Sequence, residues 1–190
     1  ADTAIEFSVW MKMGAGINGN LWAGLEWEGQ VAPWSMTFGL NTKASPDNTG
    51  PIDLKFLDYS NPSLLTTGPT TLARGHWYEI KGIMDFSSAG GLMTMYYRDI
   101  TNGDVAFTAA AGMTNIQMNI TPNIDGEYVA TGLNIRGNIG GGTVPPTRNL
   151  LFVDNFRVTD LNAVPEPSSL VIALFGVLGL GVLAIRRRKR

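Results

Sequence analysis

The 190-residue chain has no cysteine and a single histidine, His76. The first absence excludes disulfides, thiolate metal sites and cysteine nucleophiles together, so a packed core must supply the stability of the fold. The second excludes histidine clusters as metal ligands. It leaves His76 as the one imidazole for a Ser-His-Asp arrangement, and no Gly-x-Ser-x-Gly elbow accompanies it. Charge is scarce too, at 16% of residues. The formal net charge of −2 hides an asymmetry, because five of the 14 basic residues are the terminal run Arg186, Arg187, Arg188, Lys189 and Arg190. Setting these and Glu166 aside leaves nine basic against fifteen acidic groups in residues 1–165, a net of −6. Such a body has no basic patch to displace phosphate counterions, which argues against a nucleic-acid partner.

The long apolar run that most of the chain lacks is present once, at its end. Leu170 to Ile185 reads LVIALFGVLGLGVLAI, sixteen residues without a polar side chain. As a helix it would rise about 24 Å, against about 30 Å of bilayer hydrocarbon, and snorkelling of Ser168, Ser169 and the arginine stems can cover the difference. Gly176, Gly179 and Gly181 would weaken this helix in water but are tolerated in lipid. A buried core helix would not end in five adjacent cations. The run is therefore expected to be one C-terminal transmembrane helix, anchored from Leu170 to Ile185 and stopped by Arg186–Arg190. By the positive-inside rule the C-terminus is cytoplasmic and the residues before Leu170 lie outside. The start Ala-Asp-Thr fits a chain from which a signal peptide has been cut.

Directly before the run stand Val164-Pro165-Glu166-Pro167-Ser168-Ser169. Pro165-Glu166-Pro167, the apolar span and the arginine cluster, in that order and spacing, resemble the PEP-CTERM sorting signal of Gram-negative bacteria over residues 164–190. The resemblance implies export, handling by an exosortase (a transpeptidase-like membrane protease) in the inner membrane, and association with extracellular polysaccharide or biofilm. The chemistry agrees: two prolines keep the segment extended and Glu166 keeps it out of the lipid, so a protease can reach it.

Residues 1–163 show short stretches of two-residue alternation between Gly, Pro, Asn and Asp. Ile5, Phe7, Val9, Met11 and Met13 fall on one face, opposite Glu6, Ser8, Trp10 and Lys12. Leu21, Ala23, Leu25 and Trp27 follow, opposite Trp22, Glu26 and Glu28. Further strands are expected near 35–40, 52–59, 77–86, 92–99, 105–110, 116–120, 128–136 and 152–159. The fold class is all-β: a two-sheet antiparallel β-sandwich over 1–163, followed by the sorting tail at 164–190. His76-Trp77-Tyr78-Glu79-Ile80, a Gly-rich turn, Met95-Tyr96-Tyr97-Arg98-Asp99 and then Asn102-Gly103 resemble the central hairpin of concanavalin-like and laminin-G-like jelly rolls. Phe152-Val153-Asp154-Asn155-Phe156-Arg157-Val158 is similar to their last strand.

Four groups of residues are candidates for chemistry. Trp10, Trp22 and Trp77 fall on the polar faces of their strands. If the first two strands pair as a hairpin, Trp10 and Trp22 point the same way and form a platform for stacking sugar rings; loops or a second subunit covering them is the alternative. Glu26 and Glu28 share a strand face, as a retaining glycosidase requires of carboxylates about 5–5.5 Å apart. However, Glu26-Trp27-Glu28-Gly29-Gln30-Val31 lacks the aspartate and final acid of the Glu-x-Asp-x-x-Glu pattern in β-glucanases of similar fold, and reads as a solvated face. Asp154 alternates with Phe152, Phe156 and Val158 and is expected to be buried with them, where it would need backbone donors or a calcium ion. Gly140-Gly141-Gly142 before Thr143-Val144-Pro145-Pro146 is a loop, without the strand and helix of a phosphate site.

These residues leave three readings. One is a non-enzymatic structural or adhesive surface protein that self-associates in the extracellular matrix. The second is a lectin-like carbohydrate-binding module, and the third a glycoside hydrolase, which has no positive motif.

Overall fold

The computed structural model describes residues 4–14, 19–27, 36–42, 50–58, 65–69, 71–120, 122, 125, 129–139 and 151–161. Among them are eleven strands: β1 (Ala4–Met13), β2 (Gly19–Trp27), β3 (Met36–Thr42), β4 (Ile52–Asp58), β5 (Leu65–Thr67), β6 (Trp77–Asp85), β7 (Leu92–Asp99), β8 (Thr108–Ala109), β9 (Ile116–Gln117), β10 (Ala130–Ile139) and β11 (Leu151–Asp160). All pair antiparallel, in two sheets. The first sheet runs β11-β1-β6-β7-β8, with β9 also on β7; the second runs β10-β2-β3-β4-β5. The sheets belong to one unit, Ala1–Asp160. No helix occurs among the described residues, and the apolar run 170–185 lies outside them.

Alternation decides which side chains meet. Phe7, Val9, Met11 and Met13 of β1 are buried, and so are Leu21, Ala23 and Leu25 of β2, Phe38 and Leu40 of β3, and Ile52, Leu54 and Phe56 of β4. They form one core cluster with Tyr78, Ile80 and Met84 of β6 and Met93 and Met95 of β7. The rings of Phe7 and Phe38, one from each sheet, have centroids 4.3 Å apart. Met113 and Met118 extend the same cluster. Methionine is unbranched, so it fills the irregular gaps beside aromatic rings without rotamer strain.

Two expectations need correcting. β1 and β2 do not form a hairpin: β1 has β11 on one side and β6 on the other, so neither edge is free for β2, which starts the second sheet between β10 and β3. β5, paired with β4 through Lys55 to Leu57, has no counterpart in the sequence reading. Three residues are too few to show alternation.

Turn chemistry closes the β6–β7 hairpin. Asp85 Oδ1 accepts the backbone N–H of Ser87. Gly91 has φ +80°, and a Cβ there would press on Phe86 and Met118. At Gly39 a Cβ would overlap the backbone of Leu21, so the close approach of β2 and β3 requires glycine.

β11 contains the irregularity that matters most for function. Its register on β1 shifts between Ser8, opposite Arg157, and Trp10, opposite Asp154, leaving two residues of β11 against Val9 alone. Asn155, within this bulge, has φ +50°. The extra residue reverses the alternation. Leu151 and Val153 before the bulge and Phe156 after it pack on the core, and Phe156 lies 5.8 Å from Phe7. Phe152 and Asp154 consequently turn outward and are exposed. The expectation that Asp154 is buried with Phe156 is therefore wrong, because strict alternation does not survive a bulge. Asp154 Oδ1 accepts the N–H of Asn155.

Asparagine tolerates the left-handed region and β-branched residues do not. Asn155→Val is expected to lower stability by about 1–2 kcal/mol, whereas Asn155→Gly holds it within about 0.5 kcal/mol. Thermal or urea unfolding of both variants reads this. Equal losses in the two would show that the Asn155 side chain, not its backbone conformation, is what the bulge needs.

Candidate functional site

The outward face of the first sheet collects aromatic and charged side chains in rows set by register. In the row nearest the β1 C-terminus, Lys12 stands between Phe152 of β11 and Trp77 of β6. The two rings lean together over it, with centroids 6.1 Å apart and planes at 54°. Lys12 Nζ lies 5.9 Å from each ring centroid, within the range of a cation–π contact. Phe152 is 41% exposed.

In the next row Asp154, Trp10, Glu79 and Arg98 stand side by side across four strands. Glu79 is buried and Arg98 neutralises it, with Nε donating to Oε2 at 2.9 Å and Nη2 to the same oxygen at 2.5 Å. Arg98 Nη1 also donates to the Val105 carbonyl, and the Phe107 ring covers the guanidinium at 4.8 Å. The β7–β8 connection is thus pinned over this side of the sheet. Trp10 is half-buried, and its indole N–H is buried without an acceptor among the described residues. Further along, Lys81 pairs with Glu6 at 3.4 Å and lies over the rings of Tyr96 and Phe107.

At the corner beyond Trp77, His76 Nδ1 and Asp99 Oδ2 are 2.7 Å apart. Asp99 also accepts the backbone and side-chain N–H groups of Asn102, which fixes the Asn102-Gly103 turn. The Tyr78 hydroxyl accepts the Ala73 N–H. Burial pushes the Tyr78 phenol well above its ordinary range, the Ala73 bond opposes this, and the Asp99 carboxylate adds to the rise. The Thr101 hydroxyl accepts the Trp77 N–H, tying the turn to the aromatic row.

The structure separates the three tryptophans. Trp10 and Trp77 share the outward face of the first sheet, as diagonal neighbours. Trp22 is in the second sheet and only 7% exposed. The platform of Trp10 with Trp22 does not form, because it depended on the absent β1–β2 hairpin. Phe152 and Lys12, rather than Trp22, stand beside Trp77, and no local pattern in the sequence marks their meeting. Glu26 lies on β2 across from Gly132 of β10, and Glu28 is outside the described residues. Gly140–Gly142, Pro165–Pro167 and the basic cluster are outside them as well. Among the described residues no three acidic or histidine side chains group to hold a metal. The burial that motivated calcium at Asp154 is absent.

β11 ends at Asp160 and Leu161 follows as a turn. What comes next is the proline-flanked glutamate, the apolar run and the cations. Residues 163–189 match the PEP-CTERM protein-sorting motif. This PEP-CTERM tail marks an exported protein, sorted through the membrane to the cell surface by an exosortase and anchored at its C-terminus until processed. The motif begins three residues after the last strand, so the sheets are its immediate cargo. No curated protein matches the chain.

Tyr78 yields a pH test. Its raised phenol keeps its proton in the folded state where an unfolded tyrosine, near pH 10, would lose it. The associated stability is complete below about pH 10 and declines above it as the unfolded form ionises. In an absorbance titration Tyr78 is expected to give phenolate only together with loss of tertiary circular dichroism, and Tyr78→Phe to lack that step. A Tyr78 phenolate forming in folded protein would contradict the buried hydroxyl.

Arg98→Ala is expected to cost about 3 kcal/mol, since it strands the buried Glu79 carboxylate. Adding Glu79→Gln should recover more than half of that loss in urea unfolding. If the double variant is less stable than Arg98→Ala, the pairing does not carry the energy.

Proposed function

We propose that the β-sandwich is a non-enzymatic structural or adhesive component of the cell surface, delivered by its sorting tail and working among extracellular polysaccharide. The observation that carries this reading is the PEP-CTERM match over residues 163–189, set directly behind the last strand of the sandwich. A tail of this kind gives its cargo an address rather than a chemistry, so the function resides in the surfaces of the two sheets. In this reading the Leu170–Ile185 run is a single transmembrane helix with Arg186–Arg190 on the cytoplasmic side. The exosortase cuts near Pro167 and releases the body outward. Self-association of the released body fits the matrix role.

A second reading, a lectin-like carbohydrate-binding module, is favoured by the outward Trp77, Phe152 and Lys12 row. Exposed rings on a sheet face stack well on the apolar faces of sugars. The adhesive and lectin-like readings differ only in whether the glycan contact is the main task or one of several.

Sorting is tested in the native host. Wild-type protein is expected outside the inner membrane with an intact mass that ends near Pro167. A variant with Pro165, Glu166 and Pro167 all changed to alanine should stay in the membrane fraction at full length. Unprocessed full-length wild type on the surface, or identical fates for the two proteins, would overturn the exosortase assignment.

A further inference from the structure

We infer that the Phe152, Lys12 and Trp77 row is a binding site for an acidic polysaccharide, stacking a sugar ring on the two aromatic side chains and pairing its carboxylate with the Lys12 ammonium. The inference deepens the reading that the sandwich works among extracellular polysaccharide, and rests on it for the choice of ligand.

Three observations point the same way, and a fourth locates the row. First, the rings form one ridge across three strands, 6.1 Å between centroids, rather than two isolated contacts. Phe152 on this ridge is 41% exposed, although an inward phenylalanine would be available to the fold were it not for the Asn155 bulge. The bulge turns a core-type residue toward solvent and places it level with Trp77.

Second, the cation is local and uncommitted. Lys12 Nζ sits 5.9 Å from both rings and forms no ion pair among the described residues. Of the other described cations on this face, Lys81 pairs with Glu6 and Arg98 with Glu79, while Arg157, opposite Ser8 two rows along, is exposed and donates to Asn155 Oδ1. Lys12 is thus the lysine of this face without a carboxylate partner among the described residues, and it stands at the ridge. In a body of net charge −6 over residues 1–165, a cation without a carboxylate partner beside two rings favours an anionic ligand there over the acidic surface around it.

Third, a polar rim adjoins the rings. The Asn102-Gly103 turn is fixed by Asp99 and linked through Thr101 to the Trp77 backbone, which gives hydroxyl and amide groups beside an apolar face. Apolar rings with a few fixed polar groups at the edge suit a pyranose, whose ring faces are apolar and whose rim is hydroxylated.

Fourth, the row lies at the start of β11, whereas the sorting tail departs from its end. Eight residues of strand separate Phe152 from Asp160, roughly 25 Å. The ridge is therefore at the opposite end of β11 from Asp160, after which the tail sequence begins.

The test uses the full chain in detergent micelles, with alginate as a polyuronate and dextran as a neutral polymer, read by affinity electrophoresis and tryptophan fluorescence. Alginate is expected to retard the protein and dextran to do so less. Trp77→Ala and Phe152→Ala should each weaken alginate binding about tenfold, as loss of one aromatic stacking contact implies. Lys12→Gln should weaken alginate binding about threefold to fivefold, toward the level of dextran, and leave dextran binding as it was. Melting temperature identifies any variant that fails to fold, and Lys12→Gln, which removes no core contact, keeps the test decisive in that case. Equal alginate affinity in wild type and Lys12→Gln, or dextran bound as tightly as alginate by wild type, would overturn the proposal. So would a change in sedimentation of the ring variants without a change in glycan binding, which would make the ridge a contact between copies. Binding in micelles is independent of processing, so a failed sorting experiment and a failed glycan experiment remain distinguishable.

Discussion

Phe7 packed against Phe38 is the contact on which the rest of the molecule depends. It joins the two sheets, and through Phe156 it also sets the position of the edge strand β11. Burying one phenylalanine contributes about 1.5–3 kcal/mol, and removing it from a packed core costs about 3–5 kcal/mol. A domain's whole margin is only about 5–15 kcal/mol. Without a cross-link to restrict the unfolded chain, the core cluster around this ring carries the load that cystines carry in many exported domains. Methionines from β1, β6, β7 and the segments after it complete that cluster, adapting their shape to the rings.

The same strand supplies both the core and the candidate site, for a purely geometric reason. Successive residues of β1 point to opposite faces, so the alternation that sends Phe7, Val9, Met11 and Met13 inward sends Trp10 and Lys12 outward. A rigid inner face fixes the outer one. Lys12 is held between two strands whose inner faces share its core, and its rings are positioned by register rather than by loops. Sites on strands hold their geometry better than sites on loops. The charged row beside it follows another rule: Glu79 tolerates burial because Arg98 pairs with it, and the pair in turn holds the β7–β8 connection.

The tail has a different logic. Its information lies in composition and order, proline-flanked glutamate, then an apolar run, then cations, and requires no tertiary contact to be recognised. It delivers the body and leaves the sheet faces to act. The last described strand ends at Asp160 and the motif begins at residue 163, so the two adjoin in the sequence.

Most of the strand positions were legible in the sequence, since alternation is a local property: Ile52, Leu54 and Phe56, or Tyr78, Ile80 and Met84, show their inward face without any knowledge of neighbours. The sorting tail was legible because hydrophobicity and charge act one residue at a time. Pairing was not. That β1 lies between β11 and β6, that Trp22 sits in the other sheet, and that Phe152 and Trp77 meet over Lys12 are consequences of long-range register, which alternation does not encode. Nor does a single strand announce a bulge. Asn155 entering the left-handed region reversed the parity of β11 and carried Asp154 out to solvent, because only the fit of that strand against β1 and Phe7 decides which residue is the extra one.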